Sequence, residues 1–140
     1  MMETVNDIIK SALSLGACSG SNGVTDWRSL VWLFFSPQGR EFCAENDFPS
    51  LDMFRGMASH VMPYGVYVDS GHVDVTNPGN IAVIGDTDAV ITIDDNERVH
   101  KVILMHGGKA RVVASDYAVI LLVNIGGKVE INKDNTVVIL

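Results

Sequence analysis

The sequence predicts an α+β protein with short helices in residues 1–63 and an all-β repeat in residues 64–140, most consistently a small β-solenoid. Two observations predict this division. In the first segment, apolar residues recur at helical spacing between capping residues. In the second, short apolar runs alternate with turns rich in Gly, Asn and Asp. We expect the two segments to share one core.

The first helix is predicted to begin at Thr4 and to end at Gly16. Thr4 and Asp7 have the spacing of a capping box, in which each residue accepts a backbone N–H of the other. One helical stripe then collects the apolar residues Val5, Ile8, Ile9, Ala12 and Leu13. We therefore expect an amphipathic helix.

Three more helices are predicted before the repeats begin. Thr25 is the expected cap of the second, whose apolar stretch 30–35 is broad enough that we expect it to be buried as a cover of the repeat sheet. Ser36 followed by Pro37 is typical of a cap and first helical residue, and predicts the third. Ser50 is the expected cap of the fourth.

The β-repeat has a sustained period. The second strand of each unit begins at His72, Ala89, Lys109 and Lys128, which are 17, 20 and 19 residues apart. A period of this size over four units is typical of a solenoid, in which each repeat packs on its neighbours.

The two strands of a unit differ in character. Residues 102–105 and 119–123 are continuously apolar, which indicates strands covered on both faces. Residues 72–75 and 128–131 alternate, which indicates one solvated face. In a solenoid the equivalent strands stack into separate sheets, so this recurring difference favours a solenoid. The alternative is an antiparallel meander folded as a sandwich or barrel, because similar turns also join hairpin strands.

The repeat resembles the small parallel β-helices, including the polymer-forming bactofilins, in its apolar strands and its Gly, Asn and Asp turns. The resemblance covers residues 65–140 and is architectural. As a whole, the chain also looks like short proteins of unknown function from gut Bacteroidetes and their mobile elements, in its phrases SPQGREFC and NDFPSLDMFRG. That likeness implies no function.

Composition argues against several classes of partner. The net charge is −7, with ten basic and seventeen acidic residues, which does not supply the basic stripe of a nucleic-acid groove. No apolar run approaches the roughly 20 residues of a membrane span. No basic segment followed by an apolar one begins the sequence, so we expect a cytoplasmic protein with no nucleic-acid or membrane partner.

We predict no catalytic residue, cofactor or metal site. Ser70 and Ser115 lie in predicted turns without a nucleophile elbow, and Cys18 and Cys43 lack a nearby His, so we expect reduced thiols. Aspartates in tight turns usually accept backbone N–H groups. The densest acidic patch, where we would look for a weakly bound cation, consists of Asp86, Asp88, Asp94 and Asp95.

Some aromatic side chains are weak candidates for a ligand site. These are Tyr64, Tyr67, His72, His100 and His106, which lie in or beside the repeats. They motivate one hypothesis, a small-ligand or carbohydrate binder or hydrolase whose site lies where the helices meet the repeats.

The favoured hypothesis is a non-enzymatic structural or protein-interaction module. The repeats lack convergent polar residues, and solenoids leave extended faces for binding. The β-branched residues Val137, Val138, Ile139 and Leu140 are expected to form a sheet edge that no later sequence caps. We therefore predict a homo-oligomer that uses this strand, with another protein partner as a further possibility.

Overall fold

The computed structural model describes residues 4–16 and 24–140, which form four helices followed by parallel strands. The helices are α1 Val5–Ser14, α2 Trp27–Phe35, α3 Pro37–Asn46 and α4 Leu51–Val61, and a 3-10 turn, Met62–Tyr64, follows them. The strands are β1 Val66–Val68, β2 Gly71–Thr76, β3 Asn80–Ile84, β4 Thr87–Ile93, β5 Val99–Met105, β6 Lys109–Ala114, β7 Val119–Ile125, β8 Lys128–Lys133 and β9 Val138–Ile139. The chain divides into two compact units, Met1–Tyr64 and Gly65–Leu140.

The helix caps follow from local side-chain chemistry. The hydroxyl of Thr4 accepts the Asp7 N–H at 3.2 Å, and the Asp7 carboxylate accepts the Thr4 N–H at 3.1 Å, which confirms the predicted capping box. The cap of α2 is Asp26, so the prediction of Thr25 was wrong by one residue. Asp26 forms its own capping box, because its carboxylate accepts the N–H of Ser29 at 2.8 Å.

The caps of α3 and α4 are confirmed. The Ser36 hydroxyl accepts the N–H of Gly39 at 3.1 Å, and Pro37 is the first residue of α3. The Ser50 hydroxyl accepts the N–H of Met53 at 3.2 Å. These serines satisfy N–H groups that have no partner inside the helix.

Aromatic contacts pack α2 against α4 within the helical unit. The ring of Phe34 lies edge-on to Phe54 at 6.0 Å, and the ring of Trp27 stacks on His60 at 4.8 Å. Trp32, however, is 78% exposed, so the expectation that the whole stretch 30–35 is buried was wrong for this residue. The helical period places Trp32 away from the side of α2 that buries Val31 and Phe35.

The second unit is a parallel β-solenoid, as predicted. The odd-numbered strands form sheet A in the order β1-β3-β5-β7-β9, and the even-numbered strands form sheet B in the order β2-β4-β6-β8. Every strand pairing among the described residues is parallel, which excludes the antiparallel meander. Each coil contributes one strand to each sheet, which gives four coils and, in β9, the start of a fifth.

The solenoid interior is a column of aliphatic side chains in register. Val73, Ala89, Ala110 and Val129 occupy one inward-facing position on successive strands of sheet B. In sheet A, residues 102–105 are no more than 1% exposed on either face, as their continuous apolarity predicts. In β7 only Ile120 is fully buried, because only the two-residue strand β9 lies beyond it.

Glycines shape the turns between sheet A and sheet B. Gly107 and Gly126 have φ of 87° and 82°, a backbone conformation that glycine adopts without steric cost. The next glycine in each turn, Gly108 or Gly127, is required because a side chain would not fit. A Cβ on Gly108 would lie 2.1 Å from the Val83 carbonyl oxygen, and one on Gly127 would lie 2.6 Å from the Gly108 carbonyl oxygen. The close stacking of each turn on the preceding coil therefore excludes any side chain at positions 108 and 127.

Among the helices of residues 4–16 and 24–140, none combines the length and apolarity needed to cross a membrane. The shared core predicted for the helices and the repeats stays a prediction.

Candidate functional site

The apolar interior of the solenoid is closed in its middle and open at both ends. In the two middle coils its residues, such as Ile91 and Leu104, are fully buried. At the ends the inward-facing side chains are only partly buried: Tyr67, Val73 and Val75 in the first coil, and Leu122, Val129, Ile131 and Ile139 beyond the third. The two ends of the interior are thus apolar surfaces that still contact solvent.

The strands at the two ends of sheet B have unpaired backbone edges. Within the part of the chain that the structure describes, β2 pairs only with β4, and β8 pairs only with β6. Both edge strands are six residues long. An unpaired edge of this kind is a template for a further strand.

Alternate residues of each edge strand direct their backbone groups outward. The N–H groups of Gly71 and Asn77 donate to carbonyls of the second coil at 3.1 and 2.8 Å, and the Lys128 N–H donates to the Gly108 carbonyl at 2.9 Å. Alternate residues of a parallel strand bond to the same neighbour, so the residues between them bond toward the other side. The free edge of β2 therefore carries the N–H groups of His72, Asp74 and Thr76, and that of β8 those of Val129, Ile131 and Lys133.

The predicted self-association residues form the edge of sheet A and divide between its two faces. Val137 is 5% exposed and Ile139 is half-buried, and both contact the interior cluster. Val138 and Leu140 are 49% and 61% exposed. The edge strand β9 pairs with Val119 and Ile120 of β7. This segment thus contributes to both the interior and the outer rim of one solenoid end.

Charge is distributed unevenly along the solenoid axis. Residues 65–98, which form the first two coils, contain seven carboxylates and one arginine, a net charge of −6 with His neutral. Residues 99–140, which form the later coils, contain five basic and three acidic residues, a net charge of +2. The first two coils are therefore acidic and the third is basic, whereas residues 119–140 at the β8 end balance two lysines against two carboxylates.

The outer face of sheet B displays part of this gradient. His72, Asp88, Lys109 and Lys128 occupy one register position on the four strands. The face carries a shallow groove of about 450 Å³ whose lining includes Asp88, Lys109, Arg111, Lys128 and Glu130. Arg111 and Glu130 form an exposed ion pair at 3.4 Å. Such exposed pairs contribute little to stability.

The five weak ligand-site candidates belong to different elements of the two units. Tyr64 belongs to the 3-10 turn of the helical unit, and Tyr67 faces the solenoid interior. His72 lies on the outer face of sheet B, where its Nε2 is 3.0 Å from a carboxylate oxygen of Asp74. His106 lies in the turn after β5 with φ of 53°. None of the five lines the groove on sheet B.

His100 connects two stacked turns. Its ring is completely buried, with Nδ1 2.6 Å from the Pro78 carbonyl oxygen and Nε2 3.0 Å from that of Asp95. A carboxylate oxygen of Asp95 lies 3.8 Å from Nε2. Both ring nitrogens thus lie within hydrogen-bond distance of backbone carbonyl oxygens, and neither is directed at solvent.

The acidic patch is held by backbone hydrogen bonds. The Asn77 side-chain oxygen accepts the N–H groups of Asp94 and Asp95 at 2.8 and 3.2 Å. The Glu97 N–H donates to the Asp95 carboxylate at 2.9 Å and is the main reason that the pKa of Asp95 is lowered. Among residues 4–16 and 24–140, no three His, Cys, Asp or Glu side chains are grouped to hold a metal ion.

The cysteine thiol within the described residues is chemically quiet. Cys43 is buried, and burial raises its pKa to about 12. The protonated thiol is a poor nucleophile. Cys18 lies outside the described residues.

The edges of sheet B were not identified from the sequence. The alternating strands 72–75 and 128–131 were recognised, but which strands lie at the ends of a sheet depends on topology. The charge difference between the two halves of the repeat was the signal available in the sequence, and it acquires meaning only when the coils are stacked in order.

No protein-family model, curated protein or solved structure matches the chain. The likeness to short proteins of gut Bacteroidetes therefore stays a prediction. The function is inferred below from the geometry of the chain itself.

Proposed function

We propose that this protein is a non-enzymatic structural module that self-associates through the open ends of its solenoid. The observation that carries the proposal is the interior apolar column, which is sealed in the middle coils and partly exposed at both ends. Association of ends would cover these side chains and pair the free strand edges. The architectural resemblance to polymer-forming bactofilins supports the same function.

Burial of the partly exposed end residues and pairing of the free strand edges both favour association. Complete burial of an aliphatic side chain contributes about 1.5–3 kcal/mol relative to full exposure. Because the end residues are already partly buried, covering them adds a fraction of that amount each. Backbone pairing along an edge strand supplies affinity and alignment, as in the addition of a strand to an exposed sheet.

The other expectations remain proposals. A separate protein partner, a cytoplasmic location and the small-ligand or carbohydrate alternative are each compatible with the fold. The ligand alternative expects a site where the helices meet the repeats, and the proposal above is preferred because the partly exposed ends of the solenoid interior support it directly.

The proposal predicts that a charge placed at the rim of the β9 end weakens self-association. Val138 is 49% exposed on β9, so Val138→Asp should leave the fold intact. In an assembly the added carboxylate must lose water at the contact, and we expect association to weaken by roughly tenfold. Light scattering coupled to size-exclusion chromatography over a range of concentrations measures the change.

Val113→Asp is the matched control. Val113 is 40% exposed on β6, an inner strand of sheet B whose two edges are already paired with β4 and β8. Its variant should assemble like the wild type. A wild type that stays monomeric at high concentration would overturn self-association, and unaltered assembly of the Val138→Asp protein would contradict the place given to β9.

A further inference from the structure

We propose that copies of this chain stack head to tail, with the β2 end of one copy against the β8 end of the next. The inference rests on the proposed self-association. It adds the relative direction of the two copies and the surface on each that makes the contact. The occupant of each open end is thus the opposite end of a second copy.

Charge disfavours a contact between two β2 ends. Residues 65–79, which form the first coil, carry two carboxylates and no lysine or arginine, whereas residues 119–140 at the β8 end carry two lysines and two carboxylates. Contact between two β2 ends therefore brings two acidic coils together, and a β2 end against a β8 end avoids that repulsion.

Strand direction favours the same arrangement. Moving a copy along the solenoid axis places β2 beside β8 in the parallel direction found throughout the sheet. A two-fold contact between two β8 strands that keeps their outer faces aligned would pair them antiparallel. Only the head-to-tail contact continues the existing ladder.

In the head-to-tail contact, the inward-facing side chains of β2 and β8 fall at the same register positions. Val73 and Val129 share one inward-facing register position, and Val75 and Ile131 share the next. Continued stacking places each of these residues beside its equivalent in the next copy. The partly exposed apolar column of one solenoid then becomes continuous with that of its neighbour.

The two end strands of sheet A, β1 and β9, are short and cover different parts of the sheet register. β9 pairs with Val119 and Ile120, and among the described residues no strand pairs with the same side of β7 at positions 123–125. The register runs from β1 to β3, from β3 to β5 and from β5 to β7. Followed through these three pairings, Val66–Val68 of β1 align with positions 123–125 of β7. β1 of the next copy can therefore stand beside positions 123–125 of β7, and β9 beside positions 119–120 of the same strand.

One outward-facing pair opposes the contact. In the continued register Glu130 lies beside Asp74 of the next copy, and like charges directly opposite each other are unfavourable. Lys128, one pleat away, is a diagonal neighbour of the same Asp74. The contact is heterologous and does not close on itself, so it produces linear assemblies.

The test uses two variants that each block one edge. Asp74→Pro removes an N–H from the free edge of β2, and Lys133→Pro removes one from the free edge of β8. Proline is tolerated on an edge strand where the lost N–H faces solvent. Each variant alone should remain monomeric, and an equimolar mixture should form one-to-one pairs that do not grow, while the wild type forms longer species. Sedimentation velocity separates these species, and circular dichroism checks the fold.

A charge variant addresses the same question without proline. Lys128→Glu relieves the pairing of Lys128 with Lys109 on the adjacent strand, so the fold should be retained. It should weaken association by roughly two- to fivefold, the size of one exposed ion pair. Lys10→Glu on α1 changes the net charge equally at an exposed site of the helical unit and should leave association unchanged.

The outcomes separate this inference from the proposed function. A blocked variant that dimerises by itself, a mixture that stays monomeric, or equal effects of Lys128→Glu and Lys10→Glu would overturn the head-to-tail contact while the wild type still assembles. A wild type that does not assemble would overturn self-association itself.

Discussion

His100 shows how a single side chain holds two coils in place. Both of its ring nitrogens contact carbonyl oxygens, those of Pro78 and Asp95, which belong to turns of successive coils. His100→Leu removes the ring and leaves at least one of these oxygens without its hydrogen-bond partner. A polar group left unsatisfied away from water costs about 1–3 kcal/mol, so we expect a clear loss in the free energy of unfolding. Urea denaturation followed by circular dichroism measures it.

His72→Leu is the control for this substitution, because His72 is exposed on the outer face of sheet B. Its effect should stay within about 0.5 kcal/mol, as for most surface changes. Equal stability of the His100→Leu protein and the wild type would show that the two turns do not depend on the ring.

The sequence predicted some residue roles and not others. Thr4, Ser36 and Ser50 were identified as caps because capping is a local property of three or four residues. His100 was grouped with weak ligand candidates, because its partners are 22 and 5 residues away and meet it only when the coils stack. Local chemistry is visible in a sequence, whereas burial between coils is not.

At the scale of elements, the turns limit how closely the coils can stack. A Cβ at position 108 would lie 2.1 Å from the Val83 carbonyl oxygen, which belongs to the backbone of β3 and has little freedom to move. Gly108→Ala should therefore force the coils apart, and overpacking of this kind typically costs about 1–3 kcal/mol. Thermal unfolding of the purified variant measures the loss.

Gly79→Ala provides the comparison. A Cβ at position 79 meets only the Arg98 side chain, at 3.4 Å, which is ordinary contact with a flexible group. We expect little change in its unfolding temperature. Equal losses for the two variants would contradict the role given to close stacking at Gly108.

Strand positions were predicted well where apolarity marks them and poorly elsewhere. β6 begins at Lys109, as predicted, and runs to Ala114. β5 was expected at 102–105 but begins at Val99, because pairing with β7 continues through His100 and Lys101. Backbone hydrogen bonding extends a strand past its apolar residues, and composition does not reveal that extension.

For the whole molecule, the solenoid was predictable because the period and the two strand types recur. The edge of sheet A at residues 137–140 was predicted as well, because these residues end the repeat pattern. The edges of sheet B were not, because a strand becomes an edge only through the order in which the coils stack. The uneven charge of residues 65–98 and 99–140 is present in the sequence, but it becomes a difference between two ends only in the folded solenoid. The proposed assembly therefore depends on topology more than on any motif.

Residue-resolved hydrogen exchange at low and high protein concentration tests the central claim, that the open ends pair with one another. The amides that face the free edges belong to His72, Asp74 and Thr76 in β2 and to Val129, Ile131 and Lys133 in β8. These amides should exchange rapidly in dilute protein and slow markedly as association proceeds. Amides of the same strands that already bond inward, such as those of Val73 and Glu130, should be protected at both concentrations. Association that leaves either set of edge amides exchanging rapidly would contradict the account.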